Sequence, residues 1–475
     1  MGILLKEHIA YTITLSDDEA LIDANKGSYL LHQSEKTIKP RVFKIERKQE
    51  YLCFECNVAD KIVELRSSYY VGIDWLTGDR YIQVEPKLNT AVATSFERAS
   101  NSTDEGLNDD AIESMEQKAF ELIATNNTDQ EVDIIAMLTE LMSHPEISKH
   151  TDHLILIDWE ARQIPINQKQ DLLTPFLIVR FLKLLQGIVR KGLKKSYYKV
   201  QENLRNMVKG KILVGQQIKQ NVFKNRFTDT VCKYQVFGTD NIENRFLKKV
   251  FLFCAKYIEN NTRYFKEQNN INWIINYVRP SLEPINDDVD IQEIKHLKYN
   301  SFFKEYKEAI KVGQQILKRF AYNINKVTAD QVTTPPFWID MPKMFELYIF
   351  SKFLKDNPDL TASHFNYQFS TYGNSLDFLI CIGEQIIVVD TKYKLHYNYG
   401  HIHQDIRQVA GYARLKKVRD KQPKIVGEIP CLIIYPNSVT GAENLSISTI
   451  QQQQTEIKAY HKVYKLGISL PLINL

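Results

Sequence analysis

Two short apolar runs near the end of the sequence, each carrying an aspartate, restrict the fold more than any other feature. The first is Leu376–Ile382, with Asp377 near its start, and the second is Gln385–Asp390. Apolar runs of this length, bounded by turn residues, are typical of buried strands. Gly383 separates the two runs. The pattern therefore predicts a hairpin of two buried strands that carries one carboxylate on each strand.

The residues around this hairpin alternate between helical and strand patterns. Helices are predicted at Pro342–Leu354 and His403–Lys417, and strands at Ser363–Phe369 and Ile429–Tyr435. Alternating helices and apolar strands predict an α/β (α+β) fold with a central mixed sheet flanked by helices. We therefore expect residues 333–475 to form one domain.

The rest of the chain divides into two parts of opposite charge. Residues 1–164 carry 16 Lys and Arg against 30 Asp and Glu, whereas residues 165–330 carry 30 against 15. A basic block is the footprint of a surface that lies along phosphates. It is equally typical of helices with solvated lysines that face an acidic region. The charge alone leaves both interpretations open.

The two parts also differ in periodicity. Alternating residues between 40 and 88 predict a β-rich N-terminal region, 1–164, with a hairpin turn at Leu76–Asp79. Residues 165–332 are predicted to be mainly helical, up to the chain-breaking Thr333–Pro336. Further predictions are helices at Ala111–Thr125, Asp129–Ser143, Phe176–Arg190, Asn241–Tyr264 and Phe302–Phe320, a polar loop at 94–112 and a strand at Leu154–Trp159.

Several classes of protein are disfavoured. No apolar run reaches the ~18 residues of a membrane span, and the N-terminus has no signal-peptide layout, so we expect a cytoplasmic protein without membrane contact. Cys53 and Cys56 have the spacing of half a zinc site, but a strand pattern favours two ordinary cysteines. Residues 187–194 lack the Gly-Lys-Ser/Thr of a phosphate-binding loop, so any NTP-driven motor must lie on another chain.

The hairpin aspartates have the chemistry of a metal site. Mg²⁺ prefers oxygen ligands, usually one or two carboxylates with waters and a backbone carbonyl. Asp377 and Asp390 would be these carboxylates, with Mn²⁺ as a substitute ion, and Thr391 would face away but offer its carbonyl. Lys392 returns to the face of Asp390, because strand side chains repeat every two residues. It could then position a water or neutralise charge on a phosphate.

A lone Asp-x-Lys most often only ends a strand in solvated charges, so the neighbouring helices decide its interpretation. The preceding helix carries Glu346, and the following helix carries Gln408 and Tyr412, which share a face because they are four residues apart. This context favours metal-dependent phosphodiester hydrolysis. His401 and His403, with Asp405, could form a second metal site, but two histidines at the start of a helix are more often polar lining or a cap-region contact.

Motifs spread over roughly residues 65–440 occur in a specific order. They are Tyr70–Asp74, Ile82–Lys87, Met207–Ile212, Cys232–Phe237, Asp240–Arg245, Val388–Lys394 and the helix with Arg407, Gln408, Gly411 and Tyr412. Together they resemble the McrC family, and the hairpin resembles the metal-binding strands of the PD-(D/E)xK nuclease superfamily. Leu376 replaces the proline of that signature, a position that binds nothing.

The resemblance implies an endonuclease subunit of a modification-dependent restriction complex that cleaves double-stranded, modified DNA with Mg²⁺. It implies a partner similar to the McrB AAA+ GTPase hexamer, which this chain would stimulate and on which the N-terminal region would dock. The implied roles are metal ligation by Asp377 and Asp390, catalysis by Lys392, a supporting acid at Glu346 and accessory contacts from Gln408 and Tyr412. The alternative is a non-catalytic accessory subunit that only activates the partner NTPase; the intact Asp377, Asp390 and Lys392 argue against it.

Overall fold

The structure is a computed structural model of the chain. It describes residues 2–6, 10–15, 19–24, 27–32, 42–45, 49–59, 62–76, 81–89, 129–151, 153–167, 171–261, 265, 269–290, 294, 304–320, 331–371, 373–393, 399–421, 427–437, 441–457 and 460–472. The chain folds as two compact units, the first made of Met1–Ile166 and Thr333–Leu475 and the second of Asn167–Val332. The second unit is thus inserted, in sequence, into the first.

The helices and strands follow in chain order. The strands are β1 (Gly2–Lys6), β2 (Ala10–Leu15), β3 (Glu19–Ala24), β4 (Gly27–His32), β5 (Val42–Ile45), β6 (Gln49–Leu52), β7 (Phe54–Ala59), β8 (Ile62–Ser67), β9 (Tyr70–Trp75), β10 (Tyr81–Glu85), β11 (Lys87–Asn89), β12 (Asp129–Glu131), β13 (Ile155–Ile157), β14 (Ile164–Asn167), β15 (Ser196–Arg205), β16 (Lys211–Ile212), β17 (Asp229–Gly238), β18 (Gln331–Thr334), β19 (Phe337–Asp340), β20 (Tyr367–Thr371), β21 (Asn374–Ile382), β22 (Gln385–Thr391), β23 (Cys431–Pro436), β24 (Thr455–Glu456) and β25 (Val463–Ile468). The helices are α1 (Ile134–Ser143), α2 (Pro145–Ser148), α3 (Leu173–Lys191), α4 (Val214–Gln220), α5 (Ile242–Asn260), α6 (Asn269–Leu282), α7 (Lys304–Arg319), α8 (Met341–Asp356), α9 (Ala362–Phe365), α10 (Tyr399–Tyr412), α11 (Lys416–Arg419) and α12 (Ile447–Gln453), with a 3₁₀ turn at Val222–Lys224.

One five-stranded sheet of the first unit joins distant parts of the sequence. Its order is β1-β10-β9-β19-β13, so β19, which follows the inserted unit, pairs with β9 from the N-terminal region. Gly72 permits this pairing, because a Cβ there would lie 2.1 Å from the carbonyl oxygen of Phe337. The predicted pairing of β9 with β10 is confirmed, although the turn between them lies outside the described residues.

A second five-stranded sheet of the first unit has the order β4-β3-β2-β8-β7, and its neighbouring strands are antiparallel. Strands β5 and β6 form a separate hairpin. These elements confirm the prediction of β structure between residues 40 and 88. Cys56 lies within β7, as the strand interpretation predicted, and Cys53 lies between β6 and β7, where burial raises the pKa of its thiol.

A six-stranded mixed sheet forms the C-terminal part of the first unit. Its order is β20-β21-β22-β23-β25-β24, with β22, β23 and β25 parallel and the other pairs antiparallel. All six residues of β23 are buried, which explains its continuous apolar sequence Cys-Leu-Ile-Ile-Tyr-Pro. The predicted mixed α/β layering is therefore confirmed.

Helices α8 and α10 cover opposite faces of this sheet. Phe378 packs on Phe350 and Phe353 of α8, at ring distances of 5.7 and 5.3 Å. Its neighbour Leu379 belongs instead to the cluster that contains Val409 of α10. Consecutive strand residues point to opposite faces, so each helix buries one face of the sheet. Because helices pack on both faces of the sheet, side chains at the ends of these strands have fixed positions.

The second unit is built on three long helices, α3, α5 and α7. Phe253 of α5 packs on Phe320, 4.9 Å between ring centres, at the end of α7. Arg319 and Asp171 form a buried ion pair at 2.7 Å between their charged atoms. Removing one partner of such a pair destabilises a protein by about 3–5 kcal/mol, because it leaves the other charge buried and unpaired. These contacts give the unit its own core.

The expectation that residues 165–332 are mainly helical is partly wrong. Strands β15, β16 and β17 form a three-stranded antiparallel sheet within this region, with ten facing pairs between β15 and β17. No residue of β15 is buried, since its side chains alternate between half-buried and exposed. A strand without a buried face has no clear two-residue apolar period, so the sequence pattern missed it.

Other predicted elements shift or lie outside the described residues. Strand β20 begins at Tyr367, and the first half of the predicted strand Ser363–Phe369 is the short helix α9, because Thr361 caps it. The predicted helix Asp129–Ser143 begins only at Ile134, after β12. The loop at 94–112 and the helix at Ala111–Thr125 lie outside the described residues. The remaining predicted helices and strands named above correspond to α3, α5, α7, α8, α10, β13, β21, β22 and β23.

Among the described residues, none of the helices combines the length and the apolarity that crossing a membrane requires.

Candidate active site

The two hairpin aspartates face each other at one end of the six-stranded sheet. Strands β21 and β22 are antiparallel with Phe378 opposite Val389, so the next facing pair is Asp377 and Asp390. Facing residues in such a pair have Cβ atoms roughly 5 Å apart. Asp390 is 3% exposed. The predicted hairpin therefore places two carboxylates side by side, Asp390 buried and Asp377 half-buried.

Thr391 holds Asp377 in place. Its backbone N–H and its hydroxyl donate to the same oxygen, Oδ2 of Asp377, at 2.7 and 2.8 Å. We expected the Thr391 side chain to face away from the aspartates, and this is wrong. Thr391 is the last residue of β22, and the Asp377 carboxylate reaches across the end of the strand to its backbone N–H, which brings the hydroxyl into range as well.

Lys392 lies among acidic and amide side chains. Its Nζ is 2.8 Å from Oδ2 of Asp390 and 3.6 Å from Oδ1 of Asp405, and it donates to Oε1 of Gln408 at 3.2 Å. Its backbone N–H donates to the carbonyl of Ile434, 2.9 Å away, which continues the pairing with β23. Burial lowers the pKa of Lys392, but the nearby carboxylates outweigh it and the net shift is upward. The ammonium group therefore stays charged.

The surroundings of Asp377 and Asp390 disfavour the charged form of their carboxyl groups. Burial, and then the charge of Asp377, raise the pKa of Asp390 to about 7, although Lys392 opposes the shift. Burial also raises the pKa of Asp377, against the hydrogen bonds from Thr391. Oδ2 of Asp390 is buried and accepts no well-aligned hydrogen bond, in spite of the nearby Lys392. A bound cation would remove this unfavourable charge.

Glu346 extends the acidic group from α8. Burial, and then the charge of Asp377, raise the pKa of Glu346 to about 8. Its carboxylate accepts hydrogen bonds from the Gln368 side chain and from the Tyr367 hydroxyl, both on β20. The helix predicted to carry a supporting acid does therefore place it within electrostatic reach of Asp377.

Gln408 and Tyr412 lie on one face of α10, as their spacing predicted. Gln408 accepts from Lys392, and its Nε2 lies 2.6 Å from the Tyr412 hydroxyl oxygen, to which it donates. Both α10 residues are thus linked to Asp390 through Lys392. His401 and His403 lie on the same helix, but their side chains are outside the described residues.

The donor set fits a hard divalent cation. Carboxylate oxygens are its preferred ligands, and the raised pKa values of Asp377 and Asp390 indicate uncompensated negative charge. Among the described residues, no three His, Cys, Asp or Glu side chains form a ready ligand group. The site therefore offers two carboxylates, and the other ligands would come from water, substrate or the carbonyl of Thr391.

Two residues lie near the site in a way that was not predicted. Asp405, considered above only for a second metal site, is buried beside Lys392, and Gln368 contacts Glu346. The position of Asp405 could have been predicted, because it lies three residues before Gln408 and so shares its helix face. The sequence gives no signal for Gln368, whose contact depends on its backbone conformation.

The second unit carries a different kind of unusual surface. Residues 196–238 contain large apolar side chains in contact with solvent and an excess of basic residues, with eight Lys and Arg against two Asp and Glu. Phe223 and Phe227 are 77% and 75% exposed. We call the following residues the exposed apolar set: Tyr197, Met207, Val208, Val214, Phe223, Phe227 and Phe237. Exposed apolar side chains concentrated in one segment are typical of a binding surface.

The fold and the site define a mixed α/β domain with a buried carboxylate–lysine group at one end of its sheet. The family model described as "McrBC 5-methylcytosine restriction system component" matches residues 65–436. The chain therefore belongs to this family of restriction-system components, as the resemblance in its motifs predicted. No curated protein matches the chain significantly.

Two solved structures are similar to the chain at low identity. One is a refined half-complex from a tetradecameric assembly of Thermococcus gammatolerans McrB AAA+ hexamers with bound McrC, with 13% identity, a TM-score of 0.33, and coverage of 99% of this chain and 94% of that chain. The other is the Thermococcus gammatolerans McrBC complex, with 13% identity, a TM-score of 0.28, and coverage of 74% and 86%. These likenesses are too distant to assign a role to any residue.

Proposed function

We propose that this chain is the endonuclease subunit of a McrBC-type restriction complex and hydrolyses DNA phosphodiester bonds with Mg²⁺ at a PD-(D/E)xK site. The observation that carries the proposal is the pairing of Asp377 with Asp390 beside Lys392 at the end of a buried hairpin. Family membership supports a place in a restriction system. The raised pKa values of the carboxylates support an ion-binding role rather than a structural one.

Each residue has a defined task in this proposal. Asp377 and Asp390 bind the ion, and Thr391 fixes the orientation of Asp377 by two hydrogen bonds. Lys392 stabilises the negative charge that develops on the phosphate, and Gln408 holds its ammonium group. Bound Mg²⁺ supplies a Lewis acid that polarises the phosphate and makes water a better nucleophile.

We propose that the partner is a McrB-like AAA+ GTPase hexamer, whose hydrolysis this chain stimulates. Family membership supports such a partner, and the solved Thermococcus assembly combines McrB AAA+ hexamers with McrC. The sequence places the docking region in residues 1–164, which remains a prediction. The exposed apolar set adds a docking surface in the second unit, because apolar side chains that contact solvent gain most from being covered. Its basic surroundings favour an acidic partner surface.

The test is plasmid cleavage with Mg²⁺ and GTP by this chain and the motor protein encoded beside it, on methylated and unmethylated DNA. Wild type and Asp390→Ala are run side by side. We expect double-strand breaks only with wild type and partner, and the methylation contrast identifies the target. GTP hydrolysis that is stimulated without any cleavage would favour the non-catalytic accessory subunit instead.

A further inference from the structure

Gln368 has an unusual backbone conformation for a strand residue. Its φ angle is +52°, in the left-handed region that glycine favours and other residues rarely adopt. It lies in β20, the edge strand that pairs with β21. In residues other than glycine, such a strained backbone conformation persists only where surrounding contacts stabilise it. These conformations are concentrated at functional sites.

The strand register places Gln368 directly at the candidate active site. Tyr367 pairs with Phe378 and Phe369 pairs with Leu376, so Gln368 is the residue opposite Asp377. The left-handed backbone interrupts the regular pairing at this point. An ordinary strand residue here would only continue the edge of the sheet.

This backbone conformation lets two consecutive residues hold one carboxylate. The side chains of Tyr367 and Gln368 both hydrogen-bond to Glu346. Neighbouring residues in a regular strand point to opposite faces and could not reach the same carboxylate. The contact with Glu346 therefore accounts for the φ angle of Gln368.

The amide of Gln368 is fixed at both ends. Its Oε1 accepts from the hydroxyl of Ser375 at 3.0 Å, and its Nε2 donates to Oε1 of Glu346. The acceptor end is thus already occupied, which directs the donor end to the carboxylate. An amide held in this way presents Glu346 in one orientation.

We propose that Gln368 is a positioning residue that holds the Glu346 carboxylate beside Asp377, so that Glu346 supports the binding of a divalent cation from its outer shell. This proposal rests on the metal-dependent function proposed above. Glu346 is half-buried, and the charge of Asp377 contributes to its raised pKa, so the two carboxyl groups interact and the orientation of Glu346 affects the field at the ion. Residues that orient groups around a metal commonly change its affinity by 10–100-fold when they are replaced.

The chain offers a matched control for this proposal. Asn366 has a φ of +36°, lies two residues before Gln368, and donates its amide to the carbonyl of Leu379. Gln368→Gly and Asn366→Gly each keep a residue that tolerates the left-handed backbone and remove one side-chain amide. The two variants differ in which group loses its partner, since Gln368 donates to Glu346, whereas Asn366 donates to the carbonyl of Leu379.

The experiment measures ion binding without cleavage. The melting temperature of the full chain is followed as Mg²⁺ or Mn²⁺ is added after treatment with EDTA, and the ion concentration for half-maximal cleavage is measured with the partner. For Gln368→Gly we expect an ion-free melting temperature close to wild type and an about tenfold higher ion concentration for half-maximal stabilisation and cleavage. Asn366→Gly should show the wild-type ion dependence.

The outcomes separate this proposal from the one on which it rests. If Gln368→Gly requires the same ion concentration as wild type, while Asp390→Ala loses ion-dependent stabilisation, the role of Gln368 is overturned and the nuclease proposal stands. If wild type shows neither ion-dependent stabilisation nor cleavage, both proposals fail. An equal change in Asn366→Gly would also overturn the role, because the effect would then come from the strand rather than from Glu346.

Discussion

Two sheets of this protein depart from the usual distribution of polar and apolar residues in opposite directions. The six-stranded sheet of the first unit buries carboxylates, with Asp390 only 3% exposed. The three-stranded sheet of the second unit and the segments that connect its strands expose aromatic rings, with Phe223 77% exposed. Buried polar groups and exposed apolar patches indicate function, because a folded protein is expected to bury apolar side chains and to expose polar ones.

The comparison indicates which kind of ligand each region needs. A bound cation compensates buried negative charge, so the first sheet is suited to bind an ion at the site proposed for cleavage. Covering an exposed ring with another surface removes its contact with water and lowers the free energy. The second sheet is therefore suited to bind a macromolecule. Mutations in the first sheet should therefore abolish cleavage without loss of partner binding, and mutations in the exposed apolar set should weaken partner binding.

The largest effect should come from Asp390→Ala. Removing one of two ion ligands should lower the cleavage rate by at least about 10³-fold, because metal ions stabilise the transition state by several kcal/mol. The partner's GTP hydrolysis should remain stimulated, since the exposed apolar set is unchanged. DNA cleavage and GTP hydrolysis are measured in the same mixture. A loss of both activities would contradict the independence of the two regions.

Lys392→Ala should lower cleavage by about 10²–10³-fold, the usual effect of removing one group that stabilises transition-state charge. Ion-dependent stabilisation should persist, because Asp377 and Asp390 remain. The measurement combines cleavage rates with an ion titration of the melting temperature. A loss of ion binding equal to that of Asp390→Ala would contradict the role assigned to Lys392.

Replacing Phe223 and Phe227 by Ser should weaken binding to the partner by about 100-fold, since exposed aromatic anchors contribute roughly 1–2 kcal/mol each when they are buried in an interface. Folding should be unaffected, because both rings contact solvent. Binding is measured by titration, and melting by calorimetry. Trp273→Ser, another exposed aromatic residue of the second unit, is the control; equal weakening there would deny a special role to the exposed apolar set.

The smallest predicted effect is on stability against pH in EDTA. Burial raises the pKa of Asp390 to about 7, so the folded state holds a proton that the unfolded state has already released. Stability should therefore fall as the pH rises from about 4 to about 7. Asp390→Asn should flatten this dependence, and saturating Mg²⁺ should reverse it. A wild-type stability that rises through this range would contradict the raised pKa.

The predictability of the two sheets differs for the same reason as their surfaces. Strands β21 and β22 are buried on both faces, so continuous apolar runs mark them and place Asp377 and Asp390 at their ends. Strands β15 and β17 have mostly half-buried or exposed side chains, so no apolar period separates them from the neighbouring helices. Sequence patterns report burial, and they fail where a strand has little of it.

The site itself was predicted only in part. Residue types and spacing indicate Asp377, Asp390, Lys392, Gln408 and Tyr412, and the structure brings these residues together. The contact of Gln368 with Glu346 was not predictable, because it depends on a left-handed φ at a residue type that gives no sign of it. The role of Thr391 as a donor to Asp377 was missed because alternation alone was used to orient its side chain, whereas the contact is made across the end of β22, where Thr391 is the last residue.

The most direct test of the account measures double-strand breaks and GTP hydrolysis together in one mixture of this chain, its partner, Mg²⁺ and methylated DNA. We predict that wild type produces both activities and that Asp390→Ala produces hydrolysis without breaks. Breaks at the wild-type rate with Asp390→Ala would place the chemistry elsewhere and contradict the central claim.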